Sequence, residues 1–287
     1  MQSTPPIANP CMRTIDCLSY GVPMRIVVGS DDLFSALPRL LPFATQMNTP
    51  PAAGAESFTL LPPGLNHGYQ SYTGAELTQE RIQPEPVLEQ FARDLMIHVA
   101  NYCPDRVFVH AGVVGWKGRG LILPGLSLAG KTTLTAALVR AGATYYSDEY
   151  AVVDRDGWVH PYDRDLQMRE PGKFEQHSTT IESLHGHAAT TPLCIAQVVF
   201  ARYVPGSPWN PQPVTPGMAV LEMLRHTIPV QRVPRIVMST LTAMLEGATA
   251  WSSERDEAEP VAQSLLQSLE STIAPNTRPS RPQEALA

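Results

Sequence analysis

The sequence predicts an α/β fold, a glycine-loop core preceded by a small α+β segment, and three observations carry that expectation. A short apolar strand, "GRGLILPG" (118–125), runs straight into the loop "GLSLAGKTTL" (125–134). That loop opens the helix formers of "KTTLTAALVRAG" (131–142), so strand, glycine loop and helix follow one another as in an α/β unit. Beyond it, strand-like and helix-like stretches succeed each other to residue 271.

Proline is about twice its ordinary frequency, 28 of 287 residues, and its clusters mark the joints. Residues 1–20 read as a loose leader, 21–100 as the α+β segment, 101–271 as the loop-bearing domain, and 272–287 as a tail too poor in apolar residues to fold. Within the first segment, "PMRIVVGS" and "ESFTLLPPG" are strands, "DDLFSALPRLLPF" is a short helix broken by proline, and "NTPPAAGAE" is a loop. "EPVLEQFARDLMIHVANYC" spaces Val87, Phe91, Leu95, Ile97 and Val99 as one helix face and opens on acidic residues, which suit a helix N-terminus.

In the second segment "RVFVHAGVVG" pairs with the strand before the loop through the turn "WKGR", and Gly142 caps the helix after it. "ATYYS" is a strand stopping at Asp148-Glu149, and Asp156-Gly157 turns a hairpin in "YAVVDRDGWVHPY". "LCIAQVVFARY" is a buried strand ending on Arg202. Helices follow over "PGMAVLEMLRHTI", "RIVMSTLTAMLEG" and "EPVAQSLLQSLE".

Composition excludes several function classes. A net charge of −6 and a pI near 5.7 leave no basic stripe for a nucleic acid. No run approaches 18 consecutive apolar residues and the start lacks a basic–apolar leader, so the expectation is a cytoplasmic protein with no membrane partner. The four cysteines are scattered and read as free thiols. His185-Gly186-His187 with Cys194 reads as a polar loop, not a zinc site.

The loop fits G-x-x-x-x-G-K-[ST]: Gly125, Leu126, Ser127, Leu128, Ala129, Gly130, Lys131 and Thr132, followed by Thr133. A helix N-terminus carries unsatisfied N–H groups and partial positive charge, so a glycine loop leading into it seats phosphates. Lys131 would reach the β and γ oxygens of ATP, and Thr132 would place its hydroxyl on Mg²⁺. Asp148 lies 17 residues past Lys131, the distance of one helix and one returning strand, so its carboxylate would emerge at the carboxyl end of a neighbouring strand, where open sheets bind ligands. Of Asp148 and Glu149, one can hold Mg²⁺ and the other can orient or deprotonate a hydroxyl; the adjacency leaves the assignment open. His110, mid-strand beside the loop at the sheet edge, can orient a carboxylate. Arg202 is the candidate clamp for a transferring phosphoryl group.

The combination of a histidine strand, a phosphate loop and an acidic pair directly after the first crossover, over roughly 105–205, resembles the catalytic domain of the HPr kinase/phosphorylase family. That resemblance implies a fold shared with phosphoenolpyruvate carboxykinase and ATP-dependent phosphorylation of a hydroxyl on a peptide or small protein. It implies Asp148 as base, Glu149 as magnesium ligand and His110 as partner of an acidic residue. The family's acidic pair is commonly Asp-Asp, the glycine segment tied to the phosphorylase reaction has no clear counterpart, and the first hundred residues differ from the bacterial regulatory domain. A small-molecule kinase, a carboxykinase-like enzyme and an ATP-binding switch without transfer are the competing readings.

Overall fold

The computed structural model describes residues 12–125, 130–169 and 176–271. The chain divides into two compact units, Met1–Pro104 and Asp105–Ala287.

The first unit is an α+β sheet. Its strands are β1 (Arg13–Ser19), β2 (Val22–Val28), β3 (Gln46–Met47), β4 (Glu56–Leu61), β5 (Tyr69–Thr73) and β6 (Glu76–Arg81), in spatial order β3-β1-β2-β4-β5-β6. Only β2 and β4 run parallel, joined by α1 (Asp31–Leu40), whose N-cap Ser30 accepts a hydrogen bond from the Leu33 N–H. Two expectations are corrected here. Arg13–Ser19 is a strand and not loose leader, because alternate residues Ile15 and Cys17 are buried against the core. Pro38 does not break α1, which continues to Leu40. Helix α2 (Glu85–Tyr102) buries Val87, Phe91, Leu95 and Val99 as predicted, but Ile97 points to solvent.

The second unit is a three-layer α/β structure. Strands β7 (Arg106–Trp116), β8 (Arg119–Pro124), β9 (Thr144–Ser147), β10 (Tyr150–Asp154) and β11 (Val159–His160) precede a two-stranded ribbon, β12 (Leu166–Arg169) with β13 (Gln176–Thr179). Then come β14 (Ile195–Tyr203), β15 (Gln212–Pro213) and β16 (Thr249–Arg255). The main sheet has the order β11-β10-β7-β8-β14-β16-β15, with β9 also on β7. Helices α3 (Lys131–Arg140) and α6 (Ala258–Ser271) share one core with Val114, Leu121 and Leu123. On the other face α4 (Pro216–Leu224) and α5 (Pro234–Leu245) pack on Val109, Ala111, Val113 and Ile122. The period-2 alternation of β7 and β8 thus feeds two hydrophobic layers, as a sheet covered on both faces requires.

Local chemistry accounts for the joints. The β7–β8 hairpin turns at Lys117 and Gly118, both at positive φ (50° and 76°), the geometry that lets two-residue turns follow strand twist. Helix α3 ends where the Ala143 and Gly142 N–H groups donate back to Leu138 and Val139 carbonyls at 3.0 and 2.9 Å. No helix among the described residues is long and apolar enough to cross a membrane.

Candidate active site

Strand β8 delivers Gly125 to the start of the loop, and its partner β7 runs antiparallel beside it. The Gly125 N–H points to the His110 carbonyl at 3.4 Å. Leu126, Ser127, Leu128 and Ala129 lie outside the described residues. Gly130 sits at φ 80°, ψ 15°, a left-handed conformation that a side chain disfavours, and α3 begins at Lys131.

β7 is an inner strand, not the edge expected for His110. Along one side of it the chain runs twice, β9 against its later half and β10 against its earlier half. Val113 faces Ser147 and His110 faces Tyr150, so Asp148 and Glu149 occupy an interruption in one nearly continuous antiparallel run. The acidic pair therefore emerges from within the sheet instead of at a free strand end. The Ser147 hydroxyl holds the break by accepting the N–H groups of Glu149 and Tyr150 at 3.1 and 3.0 Å, and the Ala111 N–H donates to the Glu149 carbonyl at 3.2 Å. A break of this kind re-aims a side chain out of the regular pleat.

The break brings Asp148 to the first turn of α3. What lets the groups meet is Gly112, two residues beyond His110 and on the same face of β7. A side-chain carbon at Gly112 would stand 2.5 Å from Thr135 Oγ1, 3.4 Å from Lys131 Cγ and 3.5 Å from Asp148 Oδ1. Asp148 is buried, and neither its Oδ1 nor the Thr135 hydroxyl makes a hydrogen bond of good geometry, although the Thr132 and Thr135 hydroxyls lie against the carboxylate. Burial drives the Asp148 pKa up, against the opposing pull of Lys131 and of the neighbouring Thr132 and Thr135 hydroxyls. Burial likewise lowers the Lys131 pKa, while Asp148 and Glu149 resist the shift.

Lys131 Nζ lies 3.2 Å from His110 Nε2. Burial, then Lys131, then His226 depress the His110 pKa to about 4, so its ring is neutral at pH 7 and its Nε2 accepts from the ammonium. Among the described residues the ring thus meets Lys131 and the Gly125 backbone, not the acidic side chain that the resemblance implied. Behind it, the His110 N–H donates to the His226 carbonyl at 2.7 Å. Thr132 is half-buried at the same turn, Glu149 is half-buried, and Thr133 faces solvent.

Arg202 stands apart from this group. It is exposed at the end of β14 and paired with exposed Glu254. The arginine that touches the loop is Arg255, at the end of the neighbouring β16, whose Nη2 donates to the Gly130 carbonyl at 2.6 Å. Sequence reasoning missed Arg255, Gly112, Thr135 and His226. Thr135 carried a signal, since it follows Lys131 by four residues and shares its helix face; Gly112 carried the period-2 relation to His110.

No three His, Cys, Asp or Glu side chains converge into a metal cage among the described residues. The donors that would fit a hard divalent cation are the Thr132 hydroxyl with a carboxylate of the Asp148-Glu149 pair, and Mg²⁺ takes few protein ligands when phosphates supply the rest. Against known proteins, no family model matches the chain and no curated protein sequence matches it.

Proposed function

We propose that the protein is an ATP-dependent kinase of the HPr-kinase-like type, acting in the cytoplasm on a hydroxyl of a peptide or small protein. The observation that carries this reading is the convergence of Lys131, Thr135 and Asp148 on the gap at Gly112, at the N-terminus of α3, with His110 against Lys131 and Thr132 beside Asp148. A buried carboxylate with an under-satisfied oxygen is costly for folding alone, and such groups gather where chemistry needs them.

In this reading the α3 N–H groups and Lys131 bind the β and γ phosphates of ATP. Thr132 with Glu149 would hold Mg²⁺, whose charge would neutralise that of those phosphates. Neutral His110 holds the Lys131 ammonium before nucleotide arrives, and the lysine exchanges the ring for a phosphate oxygen on binding. Asp148, its pKa raised by burial, accepts the proton of the acceptor hydroxyl as the hydroxyl oxygen forms the new bond to the γ phosphorus. The bond from that phosphorus to the β–γ bridging oxygen breaks, leaving ADP and the phosphorylated acceptor. Catalysis of this kind rests on positioning and charge stabilisation.

The test is titration calorimetry with Mg·ATP, paired with transfer of label from the γ phosphate to a panel of peptide, protein and small-molecule acceptors. Lys131→Ala should lose most of the ATP affinity and all detectable transfer. Unchanged ATP binding by that variant overturns the assignment.

A further inference from the structure

We infer that Arg255 is a positioning residue of the phosphate seat, a buried positive charge that acts from behind the loop on the Gly130–Lys131 peptide. The inference rests on the nucleotide-binding reading above and adds to it a group from the far end of the unit.

Arg255 is 1% exposed and among the largest fully buried side chains. Its Nη1 donates to the Asp256 carbonyl and its Nη2 to the Gly130 carbonyl, each at 2.6 Å, while its guanidinium carbon lies 5.4 Å from the centre of the Tyr203 ring. Its Nε is buried with no partner. Among the described residues no carboxylate forms an ion pair with it; Asp256, Glu257 and Glu259 act only at longer range. Burial accordingly lowers its pKa. The next helix, α6, adds the positive end of its dipole three residues further on.

A fully buried guanidinium without a counter-ion is a poor way to stabilise a fold. It is a good way to prepare a site for an anion. The Gly130 carbonyl accepts twice, from Arg255 and from the Leu134 N–H at 3.2 Å. Because C=O and N–H point oppositely across a trans peptide, fixing that carbonyl along α3 aims the Lys131 N–H outward from the helix start, where phosphates sit. The hydrogen bond also polarises the peptide and strengthens that N–H as a donor. The packing is tight enough to hold the arrangement, since a side-chain carbon at Gly130 would meet Arg255 Nη2 at 2.7 Å and Tyr203 Cβ at 2.9 Å. The ligand class is a polyphosphate, the β and γ groups of a nucleotide.

The experiment compares wild type, Arg255→Met and Arg255→Lys by calorimetry with ADP and with inorganic pyrophosphate, alongside thermal unfolding with and without ADP. Expected is a loss of affinity of about tenfold or more for both ligands in Arg255→Met, with the ligand-free melting temperature retained or raised. Arg255→Lys keeps the charge but loses the fork and should recover part of the affinity. A wild type that binds neither ligand overturns the nucleotide reading itself. A wild type that binds them, with Arg255→Met or Arg255→Lys binding equally well per folded molecule, overturns the role of Arg255 alone. Should Arg255→Met fail to fold, Arg255→Lys decides: wild-type affinity for pyrophosphate rules the inference out, and a severalfold loss supports it.

Discussion

Two buried aspartates bracket the same strand, β10, and meet opposite fates. Asp154, at its far end, is fully provided for: Oδ1 accepts from the Asp156 and Trp158 N–H groups at 3.0 and 2.9 Å, and Oδ2 meets His160 Nε2 at 2.9 Å. Burial would raise its pKa, but His160, the Trp158 N–H and Arg106 outweigh it and the net shift is downward. Asp148, just before the strand begins, keeps an oxygen with no well-formed bond, and burial wins against Lys131 and the Thr132 and Thr135 hydroxyls. Two carboxyls of one residue type, each beside a turn, therefore separate into one that holds the hairpin together and one that the fold leaves under-satisfied. Satisfaction of hydrogen bonds, not burial, tells the structural aspartate from the candidate functional one.

The comparison breaks first at Asp148. Asp148→Asn keeps shape and removes charge, so phosphoryl transfer should fall by about 10²–10⁴-fold. The same variant should melt higher than wild type at pH 7, because it removes a charge the fold does not satisfy. With the folded pKa above the unfolded 3.8, wild-type stability falls as pH rises through the folded value, and the advantage of Asn shrinks in acid. Thermal unfolding at two pH values with single-turnover transfer checks both halves. A lower melting temperature and near-normal transfer would remove Asp148 from the site.

His110 sharpens the contrast by titration. Its folded pKa of about 4 lies below the unfolded 6.5, so the unfolded chain binds more protons between those values and stability increases as pH rises from 4 to 6.5. The full span corresponds to about 3 kcal/mol. Denaturant melts across that range should show the slope in wild type and its flattening in His110→Asn.

Asp154 is the structural counterpart. Asp154→Asn strands the groups it serves and should cost about 1–3 kcal/mol of stability, while ATP affinity per folded molecule stays unchanged. Since its folded pKa is depressed, this contribution is present above the unfolded value of 3.8 and is lost as pH falls through the folded one. The smallest effect belongs to Arg202. Its exposed pair with Glu254 limits Arg202→Lys to within about 1 kcal/mol in stability, with transfer unaltered; a large drop in turnover would return it to the site.

What could be read from the amino acids was what local chemistry determines. The strand before Gly125, the helix after Gly130, the Gly142 cap and the Asp156-Gly157 turn each follow from neighbours in sequence, and so does the adjacency of Asp148 to a strand terminus. What escaped depends on pairing at long range. β16, "TAWSSER", is polar over Ser252 to Glu254 and shows no apolar alternation, so its place beside β14 was invisible, and Arg255 with it. The interruption in the run along β7 was hidden for a similar reason, because it exists only in the register of β9 and β10 against one long strand. In the first unit the pattern at Ile15 and Cys17 was legible but was masked by the proline-rich residues that precede it.

The hydrogen bond from Arg255 to Gly130 spans 125 positions of chain. During synthesis at about 5–20 residues per second, roughly 6–25 s separate the appearance of the loop from that of the arginine behind it. A nascent polypeptide with its glycine loop and α3 already outside the ribosome still lacks β16, so on the proposed nucleotide-binding role it would not hold ATP firmly until translation had passed residue 255. Nucleotide capture would then serve as a late checkpoint, locking only molecules whose distant strand has joined the sheet.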